Sequence, residues 1–110
     1  MNIFISIVIS NFNKQEYLLS CLKSLVNQIT DFKYEIVLID DGSSDNSVNI
    51  INGFISSYQG NVPIRFFERP HYGKIQSFNF GLTKSFGSFI KLFGSDDVAF
   101  SNMIEVLGLN

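Results

Sequence analysis

The chain has 110 residues, of which 45% are apolar, so it is long enough to bury one core as a single domain. Its net charge of −2 and its scattered lysines and arginines argue against a nucleic-acid-binding protein and against a polybasic membrane anchor. A single cysteine excludes an internal disulfide or a cysteine metal cluster and suits a reducing compartment.

The first predicted element is a strand from about Ile3 to Ile9, apolar and β-branched, which is typical of a strand buried on both faces. The opening MNIFISIVIS lacks the basic region and cleavage site of a signal peptide and is too short to span a bilayer. NKQE then places Glu16 three residues after Asn13, which predicts a helix with Asn13 as its N-cap. The core-facing stripe of that helix is Leu18, Leu22, Leu25 and Val26, with Cys21 as a small core residue beside it.

The second strand is predicted at about Tyr34–Ile39, again without the alternation of a half-exposed strand. DGSSDNS interrupts it, and Ser44 or Asp45 is predicted to cap a second helix. The apolar set of this helix is Val48, Ile51, Ile55 and Tyr58.

Two more strand–helix pairs follow, separated by the loop ERPHYG and by GSDD. They are predicted as a strand at Ile64–Phe67, a helix at about Lys74–Ser85 with Gly87 as its C′ residue, a strand at Ser88–Phe93 and a helix at Ser101–Leu107. Strands that alternate with helices predict an α/β domain with a mostly parallel sheet of about four strands and right-handed crossovers.

Three predicted strands end in polar clusters: SNFN, DDGSSD and GSDD. In a parallel sheet these ends lie at one edge, and open α/β sheets bind ligands at that edge. Neither GxGxxG nor GxxxxGK[ST] is present, so the dinucleotide fingerprint and the P-loop are both excluded.

Carboxylates at this edge suit a bound cation, which in turn binds phosphate. Asp96 and Asp97 suit a hard divalent cation that bridges pyrophosphate oxygens. Because neighbouring side chains on an extended chain point to opposite sides, one is predicted to meet metal and the other a sugar hydroxyl. The acceptor-only carboxylate of Asp41 suits an imide N–H of a base on which Phe12 could stack.

Plainer alternatives stay open for each of these residues. Asp40 and Asp41 also suit a strand exit, Asp96 and Asp97 a solvated turn, and Phe12 core packing. His71 is alone in a loop, and we interpret it as a surface residue rather than a ligand.

From Ile3 to Glu105 the sequence resembles the nucleotide-binding half of a family 2 glycosyltransferase with the GT-A fold. The resemblance is carried by ISIVISNFNKQEYLLSCLKSLVNQ, FKYEIVLIDDGSSDNSVNII and ERPHYGKIQSFNFGLTKSFGSFIKLFGSDD. It implies a Rossmann-like, three-layer α/β/α fold, truncated, with residues 1–110 forming the N-terminal nucleotide-binding part and the acceptor-binding half absent.

The resemblance also implies roles for particular residues. Ser10 and Phe12 would line the nucleotide pocket, and Asp41 would bind the base, commonly uracil, with Asp40 supporting the loop. Asp96 and Asp97 would contact the ribose and a Mg²⁺ or Mn²⁺ that bridges the diphosphate, and Lys74 would lie in a loop that passes the nucleotide. Gly94 stands where the family commonly has the first acid of this motif. No catalytic base is expected in this chain, because the family places it downstream.

The function implied is an inverting, hexosyltransferase-type enzyme that transfers a sugar from a nucleotide-diphosphate donor, commonly a UDP-sugar. Its acceptor would be a glycan or lipid-linked molecule in bacterial surface polysaccharide synthesis, in the cytoplasm or peripherally at the inner face of the membrane. The chain alone is expected to be inactive.

Two other functions are weighed against it. A sugar nucleotidyltransferase is disfavoured because SNFNKQ has no glycine for a triphosphate loop. A non-catalytic nucleotide-binding module remains the third possibility.

Overall fold

The computed structural model describes residues 2–109, so Met1 and Asn110 of the predicted domain lie outside the described residues. Strands and helices alternate along the chain, as the sequence predicts. The elements are β1 (Ile5–Asn11), α1 (Gln15–Val26), β2 (Tyr34–Asp41), α2 (Ser47–Ser57), β3 (Ile64–Arg69), α3 (Lys74–Lys84), β4 (Phe89–Gly94) and α4 (Met103–Leu109).

The four strands form one sheet in the order β3-β2-β1-β4, and each neighbouring pair is parallel. The predicted α/β fold with a parallel sheet is confirmed. β1 and β2 lie in the centre, and every residue of both strands is buried. Both therefore carry continuous apolar runs, because neither has a solvent-facing side that would select polar residues.

Helices cover both faces of the sheet, which gives the predicted three layers. On one face, Ile7 and Ile9 of β1 pack in the main core with Leu18 and Leu22 of α1. On the other face, Val8, Val37 and Ile39 form a smaller cluster. The partly buried residues packed against that cluster are Phe67, Phe78 and Phe80, the last two from α3. Side chains alternate between the layers along each strand, so successive strand residues serve different helices.

β1 and β2 extend two residues further than their apolar runs predict. The ladder continues through the pairs Asn11–Asp40 and Asp41–Arg69. Asp40 and Asp41 are therefore the last residues of a central strand, and β-sheet pairing fixes the directions of their side chains.

Asn13 is not the N-cap of α1, so that prediction is wrong. The helix begins at Gln15 after Lys14, and Asn13 has a φ of 53°. The side-chain oxygen of Asn13 instead accepts the backbone N–H groups of Ser44 (2.8 Å) and Asp45 (3.2 Å). In return Asp45 Oδ2 accepts the N–H of Gln15 at 3.1 Å, so the loops after β1 and β2 cap one another.

The other helix ends also differ in detail. α2 begins at Ser47, and Asp45 Oδ1 accepts the Ser47 N–H at 2.9 Å. Slight burial alone would raise the pKa of Asp45, but the hydrogen bonds from Ser47 and Gln15 outweigh it and hold the pKa below its ordinary value. α3 ends at Lys84, followed by an extended Ser85, so Gly87 is not its C′ residue.

Among residues 2–109, none of the helices has the length and apolarity that a membrane span requires.

Candidate functional site

A cavity of about 320 Å³ opens at the carboxyl edge of the sheet. Five of the seven predicted site residues line it: Ser10, Phe12, Asp41, Lys74 and Asp96. The other lining residues are Lys14, His71, Gly94 and Ser95. The predicted convergence of strand ends at one cleft is therefore present in the structure. The loop after β3 also contributes, because β3 is parallel to the others and ends at the same edge.

Asp41 fixes the loop of residues 71–73 to the end of β2. Its buried carboxylate accepts backbone N–H groups from Tyr72 at 2.9 Å and from Gly73 at 3.2 and 3.3 Å. His71 Nδ1 lies 2.9 Å from Oδ2 of the same carboxylate. Three donors therefore surround the Asp41 carboxylate, and the Gly73 N–H is shared between its two oxygens.

Asp40 has a separate set of partners and does not line the cavity. Its Oδ1 accepts hydrogen bonds from Asn11 Nδ2 (3.0 Å) and Ser43 Oγ (2.7 Å), and its Oδ2 accepts the Ser43 N–H at 2.9 Å. These contacts hold the turn after β2 against the end of β1. The geometry is that of a loop-supporting residue.

Gly42 allows the turn after β2 to approach the 71–73 loop. Its φ is +76°, which L side chains rarely adopt, and a Cβ there would lie 2.6 Å from the backbone nitrogen of His71. The backbone at His71 is therefore pressed directly against the end of β2.

The carboxylates of Asp96 and Asp97 approach one space, so the prediction that they point to opposite sides is wrong. The chain is not extended here: it turns after β4, and the Asp97 N–H donates to the Gly94 carbonyl at 3.1 Å. A Cβ on Gly94 would lie 2.7 Å from Asp97 Oδ2 and 3.0 Å from Asp96 Oδ1. The glycine leaves room for both carboxylates, whereas a side chain at this position would displace them.

This pair of carboxylates fits a hard divalent cation. Within the described residues there is no group of three or more His, Cys, Asp or Glu side chains that could hold a metal. Mg²⁺ is commonly bound by one or two carboxylates, with water and substrate phosphate oxygens as the remaining ligands. Asp97 and Asp96 therefore match the donor set of a cation that binds together with a diphosphate.

Lysines add positive charge to the cavity wall. Lys14 Nζ lies 3.7 Å from Asp96 Oδ2, and both side chains are about half exposed. Lys74, at the start of α3, also lines the cavity. Sequence reasoning missed Lys14, although its place directly after the SNFN cluster was an available signal.

The rings of Phe12 and His71 stack, with centroids 4.0 Å apart and planes inclined by 21°. Phe12 is 39% exposed and lines the cavity, so the core-packing alternative is wrong. The interpretation of His71 as a surface residue agrees with its half-exposed side chain, and the structure adds that this side chain contacts Phe12 and Asp41 in the cavity.

Cys21 lies beneath the acidic turn and is buried. Its Sγ donates to the Gly94 carbonyl at 3.6 Å. Burial, reinforced by the charges of Asp97 and Asp96, raises the pKa of Cys21 to about 12, which keeps the thiol protonated. Its position in the core is as predicted.

Comparison with known proteins then decides the family. The family model described as "Glycosyl transferase family 2" matches residues 6–107. The chain belongs to glycosyltransferase family 2. The resemblance found in the sequence is thereby confirmed.

Two curated relatives are both longer than this chain. GlyG, a glycosyltransferase of Streptococcus pneumoniae, is 36% identical over 97% of the chain, which spans 35% of GlyG. The cholesterol galactosyltransferase of Borreliella burgdorferi is 36% identical over 94% of the chain, which spans 28% of that enzyme. The chain thus spans about a third of each.

Solved structures share the GT-A fold. S. aureus TarS 1–349 in complex with UDP matches with a TM-score of 0.84 and 20% identity, over 97% of this chain and 31% of TarS 1–349. The mannosyltransferase PcManGT from Pyrobaculum calidifontis, in complex with GDP-Man and Mn²⁺, matches with a TM-score of 0.78 and 17% identity. That match covers 89% of this chain and 29% of PcManGT.

Proposed function

We propose that this chain is the donor-binding part of a glycosyltransferase and that it binds a nucleotide-diphosphate sugar, with uracil as the base. The observation that carries the proposal is the single cavity that places an aromatic ring and a buried acceptor (Phe12 and Asp41) together with the acidic turn at Asp96. These are the groups that a base at one end and a diphosphate at the other require.

The residues divide between the two ends of the nucleotide. Phe12 and Asp41 bind the base, because one offers a stacking surface and the other accepts only N–H donors, such as the imide of uracil. Ser10 supports the same wall, and Asp40 holds the adjoining turn. Lys14 and Lys74 attract the diphosphate.

Asp97 and Asp96 would hold Mg²⁺ or Mn²⁺, which when bound offsets the negative charge of the diphosphate leaving group. Two neighbours of the same fold lend support: TarS structures contain UDP or UDP-GlcNAc, and the PcManGT complex contains Mn²⁺.

For the whole protein we propose inverting transfer of a hexosyl group to a glycan or lipid-linked acceptor in bacterial surface polysaccharide synthesis, at the cytoplasmic side of the membrane. We assign no catalytic base within this chain, so the residues described here bind and orient the donor. A base elsewhere in the protein would activate the acceptor hydroxyl. The 110-residue chain would then bind the donor without transferring sugar.

Titration calorimetry with UDP tests the proposal. The unmodified chain should bind UDP, and Mn²⁺ should strengthen the binding. In Asp97→Asn the Mn²⁺-dependent part should fall by at least roughly tenfold, since even a group that only supports a metal ligand has that effect. Asp31→Asn makes the same change at an exposed carboxylate outside the cavity and should bind UDP normally. Wild-type affinity of Asp97→Asn for UDP in Mn²⁺ would contradict the proposed site.

A further inference from the structure

His71 holds the position that the proposed base needs. Its ring stacks on Phe12 with centroids 4.0 Å apart, and its Nδ1 lies 2.9 Å from Asp41 Oδ2 and 3.0 Å from the Asp41 carbonyl oxygen. Both oxygens are acceptors, so Nδ1 carries the proton and donates. A uracil bound as proposed would make the same two contacts: its flat ring would stack on Phe12, and its imide N–H would donate to Asp41.

The His71 ring and a bound base cannot occupy this position at the same time. Asp41 already accepts from the backbone of Tyr72 and Gly73, and His71 supplies the remaining contact. Because the His71 ring lies against Oδ2 and on the face of Phe12, an imide N–H of a base stacked on that face can reach Oδ2 only after the ring has moved. The face of Phe12 that His71 covers is likewise closed to a base.

Of the donors on Asp41, the His71 side chain is the one that is free to move. The backbone of the loop is held by the N–H groups of Tyr72 and Gly73 and by its close approach to Gly42. The His71 side chain is 54% exposed and has solvent beside it. Rotation about its side-chain bonds would vacate the position without moving the loop.

We propose that the His71 ring occupies the base position of the ligand-free chain and that nucleotide binds only after the ring has rotated out. This inference rests on the proposed function. The ring acts as an internal competitor, so it lowers the apparent affinity for nucleotide by the fraction of molecules in which the position is open.

Nuclear magnetic resonance provides a direct test, because His71 is the single histidine of the sequence and gives one set of imidazole signals in the tag-free chain. In the free chain its carbon-bound protons should show Overhauser contacts with the ring of Phe12. At saturating UDP and Mg²⁺ these contacts should vanish, and the uracil H5 and H6 protons should contact Phe12 instead. Persistence of the His71–Phe12 contacts in the UDP complex would overturn the proposal.

Affinity gives an independent measurement. His71→Ala removes the competitor and should tighten UDP binding by roughly twofold to tenfold, the value of one aromatic contact. His71→Phe keeps a stacking ring without the N–H donor, so its affinity should fall between wild type and His71→Ala. Phe86→Ala is the control, because it deletes an exposed ring near the amino edge of the sheet.

The outcomes separate this inference from the proposed function. If neither the wild-type chain nor His71→Ala binds UDP, both proposals fail. If the wild-type chain binds UDP and His71→Ala binds it more weakly, the donor site stands and the competitor role is overturned, because His71 then contributes to binding. Uracil contacts with the imidazole protons in the complex would agree with that second result.

Discussion

Asp40 and Asp41 are adjacent in the sequence, yet the sheet separates their tasks. Successive strand residues point to opposite faces, so one carboxylate turns to Asn11 and Ser43 and the other to the 71–73 loop. The mutual repulsion of neighbouring carboxylates is offset because each is surrounded by N–H and O–H donors. Asp40 thus supports the turn beside the site, whereas Asp41 lines the cavity.

Asp40→Ala should destabilise the chain by about 2 kcal/mol or more, because the backbone N–H of Ser43 loses its partner and the buried amide of Asn11 loses one of its two acceptors. Urea unfolding followed by circular dichroism measures the difference. Asp31→Ala removes an exposed carboxylate and should leave the urea midpoint unchanged. Equal midpoints for Asp40→Ala and wild type would show that Asp40 does not support the turn.

At the scale of elements, a buried glutamate joins the strands at the amino edge of the sheet. Glu35 Oε2 accepts from Ser6 Oγ of β1 at 2.6 Å and from the Phe86 N–H, just before β4, at 2.7 Å. Its Oε1 accepts from Arg65 Nη2 of β3 at 2.7 Å, and the same guanidinium reaches the Lys84 carbonyl at the end of α3. One carboxylate therefore links three strands to the helix end that precedes the fourth.

The charge of Glu35 should make folding stability depend on pH. Burial alone would raise the pKa of Glu35, but the hydrogen bonds from Ser6, Phe86 and Arg65 outweigh it, and the pKa lies below the ordinary value of 4.5. A lowered pKa in the folded state means that the contribution is complete above pH 4.5 and is lost as the pH falls through the folded-state pKa.

Glu35→Gln should therefore lower the free energy of unfolding at pH 7 by about 2 kcal/mol, because it leaves Arg65 without its charge partner. The loss should shrink as the pH falls below 4.5. Urea midpoints across that range measure it, with Glu68→Gln, an exposed position in β3, as the control. A pH-independent difference between Glu35→Gln and wild type would mean that the charge of Glu35 contributes nothing.

Local pattern was sufficient to predict these elements but not their ends. The apolar runs of β1 and β2 and the spacing of Leu18, Leu22 and Leu25 follow from burial, which leaves a periodic trace in the sequence. The actual contacts of Asn13 could not be predicted, because the backbone N–H groups that donate to its side chain lie 31 and 32 residues away. A capping motif predicts that the side chain accepts from N–H groups of the next few residues, whereas Asn13 accepts from a loop that is distant in sequence.

At the scale of the whole molecule, the sheet order determines what the site contains. The sequence predicts four strand–helix pairs but does not say which strands are neighbours. Placing β1 between β2 and β4 brings Phe12, Asp41 and Asp96 to one cavity. His71 and Lys14 also line this cavity, but they lie in loops, whose course hydrophobic periodicity does not predict. The carboxylates could therefore be predicted from motifs and Lys14 from its place after SNFN, whereas the contacts of His71 required the fold.

The same order leaves β4 at an edge, where within residues 2–109 it pairs with β1 alone. Phe89, Ile90 and Leu92 are 59%, 40% and 46% exposed, so the edge strand is apolar on both faces. An apolar strand with an open hydrogen-bonding edge promotes association between copies. The 110-residue chain should therefore self-associate through β4 as its concentration rises.

Leu92→Lys should reduce this association, because a charge on the edge strand must be desolvated when a second copy pairs with it. Sedimentation velocity over a range of concentrations measures the change, and circular dichroism verifies that the fold is kept. Leu19→Lys makes the same substitution at a position 43% exposed on α1 and should associate as the wild type does. A wild-type chain that stays monomeric at every concentration would contradict association through β4. An equal effect of Leu92→Lys and Leu19→Lys would contradict it as well.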